Sequence, residues 1–473
     1  MSKIDWLNPL MSLIGVILVI HIITVRGDQS YKIMWIIFIL LVPVFGVLAY
    51  MLFGGGRVMP HLKKRMKNCK NKYLSKIKEN DCETKLNYSD MLHFRQAAYL
   101  RNEAKLPIHN DSTSTFLKSG EEFFEEVLKA LNTAKKYIYI EFFILAEGYM
   151  WDEISKILKE KSRNGVEVKI IFDDFGSIKR QSKDFISSLK KEGIEVSAFN
   201  PIRPSIDIFM NNRNHRKIII TDGTVAFTGG INIGDEYINK IERFGHWLDT
   251  GIKVEGKAVD TFLAMFCSMW EFTTKKQIDI SEKLAAHPSV KDGFYIPYFD
   301  DPLDKTNTAQ GIYMQIIGTA QKYVYIETPY LILDSSMTAY LTLAAKSGID
   351  VRIITPHIPD KWYVHPVTQY YYSELLDAGV RIYEYTPGFI HSKLFVSDDS
   401  VATVGTVNMD YRSFNFHFEC GIWFSGSTSI KTIKEAFLDT LKECTEIHAE
   451  EWNKRPLIEK LKQSILHLLA PLL

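Results

Sequence analysis

Two segments of the sequence carry the same polar residues at the same spacing. The first contains His215, Lys217, Asp222 and Asn232, and the second contains His391, Lys393, Asp398 and Asn408. One such segment is only moderately specific, since a histidine two residues before a lysine often occurs by chance. Two segments with identical spacing from histidine to asparagine are hard to produce by chance, so we take them as the candidates for chemistry.

The spacing predicts that each histidine and lysine lie side by side. Residues two apart on a β-strand share a face, and apolar, strand-like residues follow at 218–220 and 394–396. Cleavage of a phosphodiester needs a nucleophile, a proton for the leaving oxygen, and positive charge or donors around the remaining oxygens. Two imidazoles can supply the first two, and the lysines with the amides of Asn232 and Asn408 can supply the third.

The two motif aspartates belong to the candidate catalytic set by their place in the motif. Asp222 and Asp398 stand at odd spacing from their histidines, so on a strand they would face away from the imidazoles. We therefore expect them to hold the strand and the turn that follows it.

Neither a metal nor another cofactor is expected. The sequence shows no carboxylate, histidine or cysteine cluster with metal-ligand spacing, and the lysines already supply positive charge. The five cysteines are scattered and form no CxxC pair, which predicts reduced thiols. A net charge of +1 gives no general attraction to nucleic acid.

The chain contains an internal repeat that places the two motifs in equivalent halves. Residues 137–141 recur at 323–327, residues 164–171 recur at 347–354, and residues 192–196 recur at 378–382. The shorter offset of the two histidines requires an insertion in the first half, around 202–214. Each half alternates strand and helix patterns, which predicts an α/β fold of two homologous sandwich domains about a pseudo-twofold axis.

The N-terminus carries two apolar stretches, at 6–25 and 33–53, without a charged residue. Each has the length of a transmembrane helix, and the first is too long for the core of a cleaved signal peptide. Eight Lys or Arg and no acidic residue follow between 63 and 78, which favours a cytoplasmic location for the chain on the C-terminal side of the second stretch. This basic stretch could also attract anionic headgroups.

The last residues, 457–473, have apolar positions at helical spacing and predict an amphipathic helix. Packing on the protein and insertion into a membrane surface remain equal alternatives. We divide the chain into two transmembrane helices, a basic juxtamembrane linker, two catalytic domains and an amphipathic tail, at 1–56, 57–114, 115–290, 291–450 and 451–473.

The paired motifs resemble those of the phospholipase D superfamily over roughly 115–450. The segment Asn408-Met-Asp-Tyr-Arg-Ser-Phe-Asn415 with Glu419, the N-terminal spans and the tail look like those of bacterial cardiolipin synthases. The resemblance implies transfer of a phosphatidyl group between two phosphatidylglycerols through a phosphatidyl-histidine, at the bacterial plasma membrane. By this analogy His215 is the nucleophile and His391 the acid and base.

The resemblance also implies that an acid from the opposite half orients each histidine. By position these are Glu419 for His215 and Asp249 for His391, and we group both with Asn232 and Asn408 as residues of the substrate site. The halves differ where the first has Gly230 and the second has Thr406, so they could bind different parts of the substrate.

Other functions stay open at this level. The motif predicts formation of phosphatidyl-histidine but leaves open what attacks it, so a hydrolase or a transferase with another alcohol acceptor is the alternative. A nuclease is disfavoured by the predicted membrane anchor and the near-neutral charge. A silent membrane scaffold would not need two intact histidine–lysine pairs.

Overall fold

The computed structural model describes residues 7–25, 29–54, 60–77, 93–202, 211–304, 306–468 and 470. Residues 203–210 of the expected insertion, Lys78, Cys82, Leu469 and residues 471–473 lie outside this part. The described helices are α1 Leu7–Thr24, α2 Gln29–Leu41, α3 Pro43–Phe53, α4 Pro60–Leu74, α5 Phe94–Ala104, α6 Gly120–Thr133, α7 Tyr149–Arg163, α8 Asp174–Ser177, α9 Phe185–Lys191, α10 Val259–Thr274, α11 Thr308–Thr319, α12 Ser335–Lys346, α13 His365–Tyr370, α14 Tyr372–Asp377, α15 Tyr411–Asn415, α16 Ser429–Leu441, α17 Ala449–Asn453 and α18 Leu457–His467.

The strands fall into two groups with the same order of elements. They are β1 Ser112–Leu117, β2 Tyr137–Phe142, β3 Glu167–Asp173, β4 Glu195–Phe199, β5 Arg213–Asn214, β6 Ile218–Thr221, β7 Val225–Gly229, β8 His246–Leu248, β9 Gly251–Gly256, β10 Phe294–Asp300, β11 Tyr323–Glu327, β12 Asp350–Pro356, β13 Arg381–Tyr385, β14 Gly388–Ile390, β15 Leu394–Ser397, β16 Val401–Gly405, β17 His417–Ser425 and β18 Cys444–Ile447.

Each half contains a mixed sheet, as the repeat predicts. The first sheet has the order β1-β9-β7-β6-β2-β3-β4, and the second has the order β10-β17-β16-β15-β11-β12-β13-β18. In both, three parallel strands (β2-β3-β4 and β11-β12-β13) adjoin an antiparallel hairpin that begins just after the motif lysine. The motif strands β6 and β15 are buried, because Ile218, Ile220, Leu394 and Val396 pack into the core.

Two short parallel pairings join the halves. Strand β5 of the first half pairs with β17 of the second, and β14 of the second pairs with β8 of the first. The backbone N–H of His215 donates to the Phe418 carbonyl, and that of His391 donates to the Leu248 carbonyl. Each half therefore begins its motif on a strand that is hydrogen-bonded to the other half.

The N-terminal apolar region forms three helices. The first predicted span corresponds to α1, but the second is divided between α2 and α3 at Val42. The division precedes Pro43, because proline has no backbone N–H and its ring disfavours helical geometry in the preceding residue. Within the described residues no helix combines the length and apolar character required to cross a membrane.

The N-terminal end of α2 lies beside the second half. The ring of Tyr31 stacks on that of Tyr411, with 5.5 Å between the centroids, and lies 6.1 Å from Phe416. Two membrane spans oriented by the charge pattern would place this end of α2 across the membrane from the catalytic domains. The observed contact is at odds with that topology.

The basic stretch after α3 is partly engaged by the protein. Helix α4 packs on α10 through Met66, Cys69 and Tyr73. Lys72 pairs with Glu271 at 2.8 Å and Lys70 pairs with Asp304 at 2.7 Å. These charges stabilise the contact between α4 and the domains, so only part of the stretch is available to anionic headgroups.

The predicted amphipathic tail helix is present as α18 and has two different faces. Gln463 is buried, and the His467 ring stacks on Tyr370 of α13 at 3.9 Å. The opposite face exposes Leu457, Ile458, Leu461, Ile465 and Leu468, of which Leu457 is 81% exposed.

Candidate active site

The two motif histidines lie at the junction of the halves, each held by a carboxylate of the other half. His215 Nδ1 lies 2.9 Å from both carboxylate oxygens of Glu419, and His391 Nδ1 lies 2.6 Å from Asp249 Oδ2. A carboxylate accepts, so these contacts assign the proton of each imidazole to Nδ1. The Nε2 lone pair of each ring is then the one that can attack phosphorus or take a proton.

Both imidazoles are neutral near pH 7. Burial lowers the pKa of His215 and that of His391 well below the ordinary value, and the neighbouring Lys217 and Lys393 lower them further. A protonated His215 would lower the pKa of His391 as well, as expected for one shared site. A neutral imidazole is the form that can act as nucleophile.

The motif lysines share the site with the histidines, as their spacing predicts. Lys217 Nζ donates to the carbonyl of His215 at 2.7 Å, and Lys393 Nζ donates to that of His391. Burial lowers the pKa of Lys217 to about 8 and that of Lys393 to about 7. The negative charges of Glu419 and Asp249 oppose this lowering in part. A bound phosphate would favour both ammonium forms.

The aspartates of the motif lie away from the histidines. Asp222 accepts from the backbone N–H groups of Lys135, Lys136 and Tyr137, and Asp398 accepts from those of Gln321, Lys322 and Tyr323. These contacts correct the placement of Asp222 and Asp398 among the catalytic residues, since each carboxylate ties the hairpin turn to the start of a neighbouring strand. The odd spacing from histidine predicts this role.

The two asparagines differ in what their amides contact. Asn232 accepts from the backbone N–H of Ile144 and donates to the Tyr237 hydroxyl. Asn408 is buried, and its Oδ1 has no hydrogen-bond partner among the described residues. The unpartnered atom of Asn408 is thus an acceptor, which suits a substrate hydroxyl and not a phosphate oxygen, whereas Asn232 stabilises the loop after β2.

Two buried glutamates on the strands next to the motif strands were not among the predicted site residues. Glu141 accepts from the side chain of Asn214, and Glu327 contacts Ser392, next to the two motif histidines. Burial raises the pKa of each carboxyl to about 7. Both residues end a repeated Tyr-x-Tyr-Ile-Glu segment, and this repetition is the sequence signal by which they could have been found.

The halves differ around their orienting acids. The hydroxyl of Thr406 donates to Glu419, whereas a Cβ added at the equivalent Gly230 would lie 2.0 Å from Asp249 Oδ1. Two residues before each acid stand His417 and Trp247, whose rings lie 5.5 Å from His215 and 5.4 Å from His391.

Among the described residues, one group of side chains could hold a metal ion, although the sequence shows no cluster with metal-ligand spacing. One nitrogen each of His215 and His417 and a carboxylate oxygen of Glu419 all lie within 4.8 Å of one another. Sequence spacing reveals only the pair His417 and Glu419, because His215 is 202 residues away from His417 and arrives through the β5–β17 pairing.

Comparison with known protein families gives two matches. The family described as cardiolipin synthase, PLD-like domain, matches residues 127–270 and 313–441. The family described as phospholipase D-nuclease N-terminal matches residues 13–55. The first family covers both halves of the repeat, including both motifs.

Curated relatives match nearly the whole chain. Cardiolipin synthase 2 of Bacillus cereus is 37% identical over 94% of this chain and 87% of its own. Cardiolipin synthase of Clostridium perfringens is 34% identical over 93% of each chain. An uncharacterised protein of Streptococcus mutans is 40% identical over 96% of this chain and 99% of its own.

A solved structure shares the fold. The phosphatidylserine synthase of Haemophilus influenzae superposes with a TM-score of 0.62 at 14% identity, covering 80% of this chain and all of that one. At this identity the likeness concerns the fold alone.

Proposed function

The chain belongs to the cardiolipin synthase family of proteins with PLD-like domains, and from this premise we propose that it converts two phosphatidylglycerols into cardiolipin and glycerol. The observation that carries the proposal is the crossed arrangement of two imidazoles, each held by a carboxylate of the other half. It supplies a nucleophile and a separate acid and base at one junction.

In the first step His215 Nε2 attacks the phosphorus of one phosphatidylglycerol. The bond between phosphorus and the headgroup oxygen breaks, and protonated His391 gives its proton to the departing glycerol. A bound phosphate beside Lys217 and Lys393 adds negative charge, which favours the protonated form of His391 in spite of its burial. The lysines stabilise the charge on the non-bridging oxygens.

In the second step a hydroxyl of another phosphatidylglycerol attacks the phosphatidyl-histidine. His391, now neutral, takes the hydroxyl proton, and the bond between phosphorus and His215 Nε2 breaks. Cardiolipin leaves, and the histidines return to their starting states. Glu419 and Asp249 hold the two rings in the required orientation throughout.

The product assay tests this reaction against its alternative. Purified enzyme given phosphatidylglycerol vesicles, without nucleotide, should release glycerol and cardiolipin in equal amounts. Phosphatidic acid as the sole product would indicate a hydrolase, and a product that forms only with another added alcohol would indicate a different acceptor. His215→Ala should abolish turnover, and wild-type turnover in that variant would overturn the assignment of the nucleophile.

We also propose that α1, α2 and α3 anchor the enzyme at the bacterial cell membrane. Leu13, Ile17 and Phe45 are each more than half exposed, as expected for helices that contact acyl chains. More specifically, we propose the topology that the sequence predicts, with two membrane spans and the catalytic domains on the cytoplasmic face. It requires Tyr31 to separate from Tyr411 in the membrane.

The exposed face of α18 supports a second membrane contact. Its five exposed apolar residues form a stripe along one side of the helix, and Lys460 and Lys462 flank it. This combination is typical of helices that lie in the interface of an anionic bilayer. The proposed partners are therefore phosphatidylglycerol and other anionic lipids, with no nucleic acid.

A further inference from the structure

His417 distinguishes the first motif histidine from the second. His417 and Trp247 hold equivalent positions, because each precedes an orienting acid by two residues. Trp247 offers a single N–H donor, whereas an imidazole offers a nitrogen lone pair. The Glu419 side therefore has a potential ligand that the Asp249 side lacks.

His417 Nδ1 is placed where it could bind a metal ion together with Glu419. Its Nδ1 lies 3.6 Å from Glu419 Oε1, is buried, and has no hydrogen-bond partner among the described residues. Its side chain is 12% exposed, so water reaches little of the ring. A buried nitrogen without a partner is unusual and calls for an explanation.

We propose that a first-row transition-metal dication of the zinc type binds reversibly to His215, His417 and Glu419 and inhibits the enzyme. Two imidazoles and one carboxylate form a common three-ligand set for zinc, with water completing the tetrahedron. The ligand atoms lie within 4.8 Å of one another and would need to move closer by up to about 1.5 Å, since two ligands with bonds of about 2 Å to a tetrahedral zinc are about 3.3 Å apart.

Inhibition follows from the proton positions, and this part rests on the proposed function. Glu419 contacts His215 at Nδ1, so the metal would bind His215 at that nitrogen in place of its proton. The proton then occupies Nε2, the atom that attacks phosphorus, and no net proton is gained or lost. The nucleophilic lone pair is therefore lost while the metal is bound.

Local charge restricts which ions can bind. Lys217 and Lys393 are buried in the same site and repel any cation. Zn²⁺, Co²⁺ and Ni²⁺ form strong bonds to imidazole that can offset this repulsion. Mg²⁺ and Ca²⁺ prefer oxygen ligands and should not bind here.

Metal binding can be measured separately from lipid turnover. Chelator-treated full-length protein in detergent is titrated with Co²⁺, whose visible absorption reports nitrogen ligands, and Zn²⁺ is then added in competition. We expect one Co²⁺ per chain, displaced by Zn²⁺ but not by Mg²⁺. His417→Asn should weaken binding at least about tenfold, equivalent to about 1.4 kcal/mol.

His287→Asn is the matched control, because His287 also contacts a carboxylate, Asp260, but lies outside the cluster. It should bind Co²⁺ as the parent protein does. His417→Trp, which copies the first half, provides a second variant if His417→Asn fails to fold. Undiminished binding in a folded His417 variant, or no one-to-one binding by the parent, would overturn the site.

The activity assay separates this proposal from the proposed function. Zn²⁺ should slow glycerol release by the parent protein, a chelator should restore it, and more Zn²⁺ should be needed in the folded His417 variant. If the protein binds Co²⁺ through His417 but makes no cardiolipin, the metal site stands and the proposed function fails. If cardiolipin forms and Zn²⁺ has no effect on it, the inhibition fails and the proposed function stands.

Discussion

At the residue scale, the pairing of each imidazole with one carboxylate gives the two histidines defined tautomers. Glu419 and Asp249 are both fully buried, so their contacts with His215 and His391 are shielded from water. A neutral acceptor in place of either carboxylate would keep much of the geometry and remove the charge that stabilises a protonated imidazole.

Glu419→Gln should therefore lower kcat for glycerol release by about a hundredfold or more, with a smaller change in KM. The measurement is steady-state turnover of phosphatidylglycerol in mixed micelles. Glu419→Asp, which keeps the charge, is the control and should retain more activity. Equal kcat values for the parent and Glu419→Gln would contradict an orienting role.

The buried Glu141 predicts a pH dependence of stability. Its pKa is about 7 in the folded protein, against an ordinary value of 4.5. Between these values the unfolded chain releases a proton that the folded protein retains, so stability falls as pH rises, by at most about 3 kcal/mol. Below pH 4.5 the carboxyl is protonated in both states and has no effect.

Glu141→Gln should flatten this dependence. We expect the loss of thermal midpoint between about pH 5 and about pH 7.5 to be smaller in the variant than in the parent, measured by thermal unfolding in detergent. Glu327→Gln, its counterpart in the other half, should behave similarly. An unchanged slope in both variants would mean that neither carboxyl is held protonated.

At the element scale, the hairpins that follow the motif lysines are closed by tight turns. Asp222 with Gly223, and Asp398 with Asp399, have positive φ angles, which suit the two central positions of a hairpin turn. The motif aspartates therefore combine a turn conformation with three backbone contacts each. This explains why an aspartate belongs to the motif without touching the histidine.

Asp398→Asn should destabilise the protein by about 1–3 kcal/mol, since charged hydrogen bonds to three N–H groups are weakened while asparagine still tolerates the positive φ. The measurement is the thermal midpoint. Asp399→Asn is the control in the same turn, because its carboxylate is largely exposed and should matter less. A larger fall in kcat than in stability would return Asp398 to the chemistry.

The proposed membrane contact of α18 can also be tested by substitution. Leu461→Glu places a charge on the exposed face of α18 and should weaken binding to phosphatidylglycerol vesicles in a flotation assay. Leu343→Glu makes the same change at an exposed leucine of α12 and serves as the control. Equal loss of binding in both variants would exclude a specific contact through the tail.

At the scale of the whole molecule, the N-terminal helices and the catalytic halves meet at Tyr31 and Tyr411. The stacked rings hold the N-terminal end of α2 beside the segment that follows Asn408. Two-span anchoring and this contact require the N-terminal end of α2 to lie on opposite sides of the membrane, so a single experiment separates them.

If Tyr31 contacts Tyr411 in the membrane, a Tyr31→Cys and Tyr411→Cys pair should cross-link when native membranes are treated with a short bifunctional thiol reagent. In the two-span topology the pair should not cross-link, and the thiol introduced by Tyr31→Cys should react with an impermeant thiol reagent from outside intact cells. The parent protein, with its own cysteines, is the control for background labelling.

The sequence by itself determined the chemistry and the duplicated architecture. Motif spacing placed each histidine beside its lysine and turned each aspartate away, because alternation along a strand is a local property of the backbone. Repetition of the Tyr-x-Tyr-Ile-Glu segment and of the motifs indicated two equivalent halves. The α/β fold that these patterns predict is confirmed, as are the family membership and the phosphatidyltransferase activity that the resemblance implies.

Tertiary structure decided which residues meet across the halves. Pairings β5–β17 and β8–β14 bring Glu419 to His215 and Asp249 to His391, contacts between residues 204 and 142 positions apart. The same crossing places His417 beside His215. Contacts over such distances depend on how two sheets pack, so the sequence could suggest the acids only by resemblance and gave no sign that His215 joins the pair His417 and Glu419.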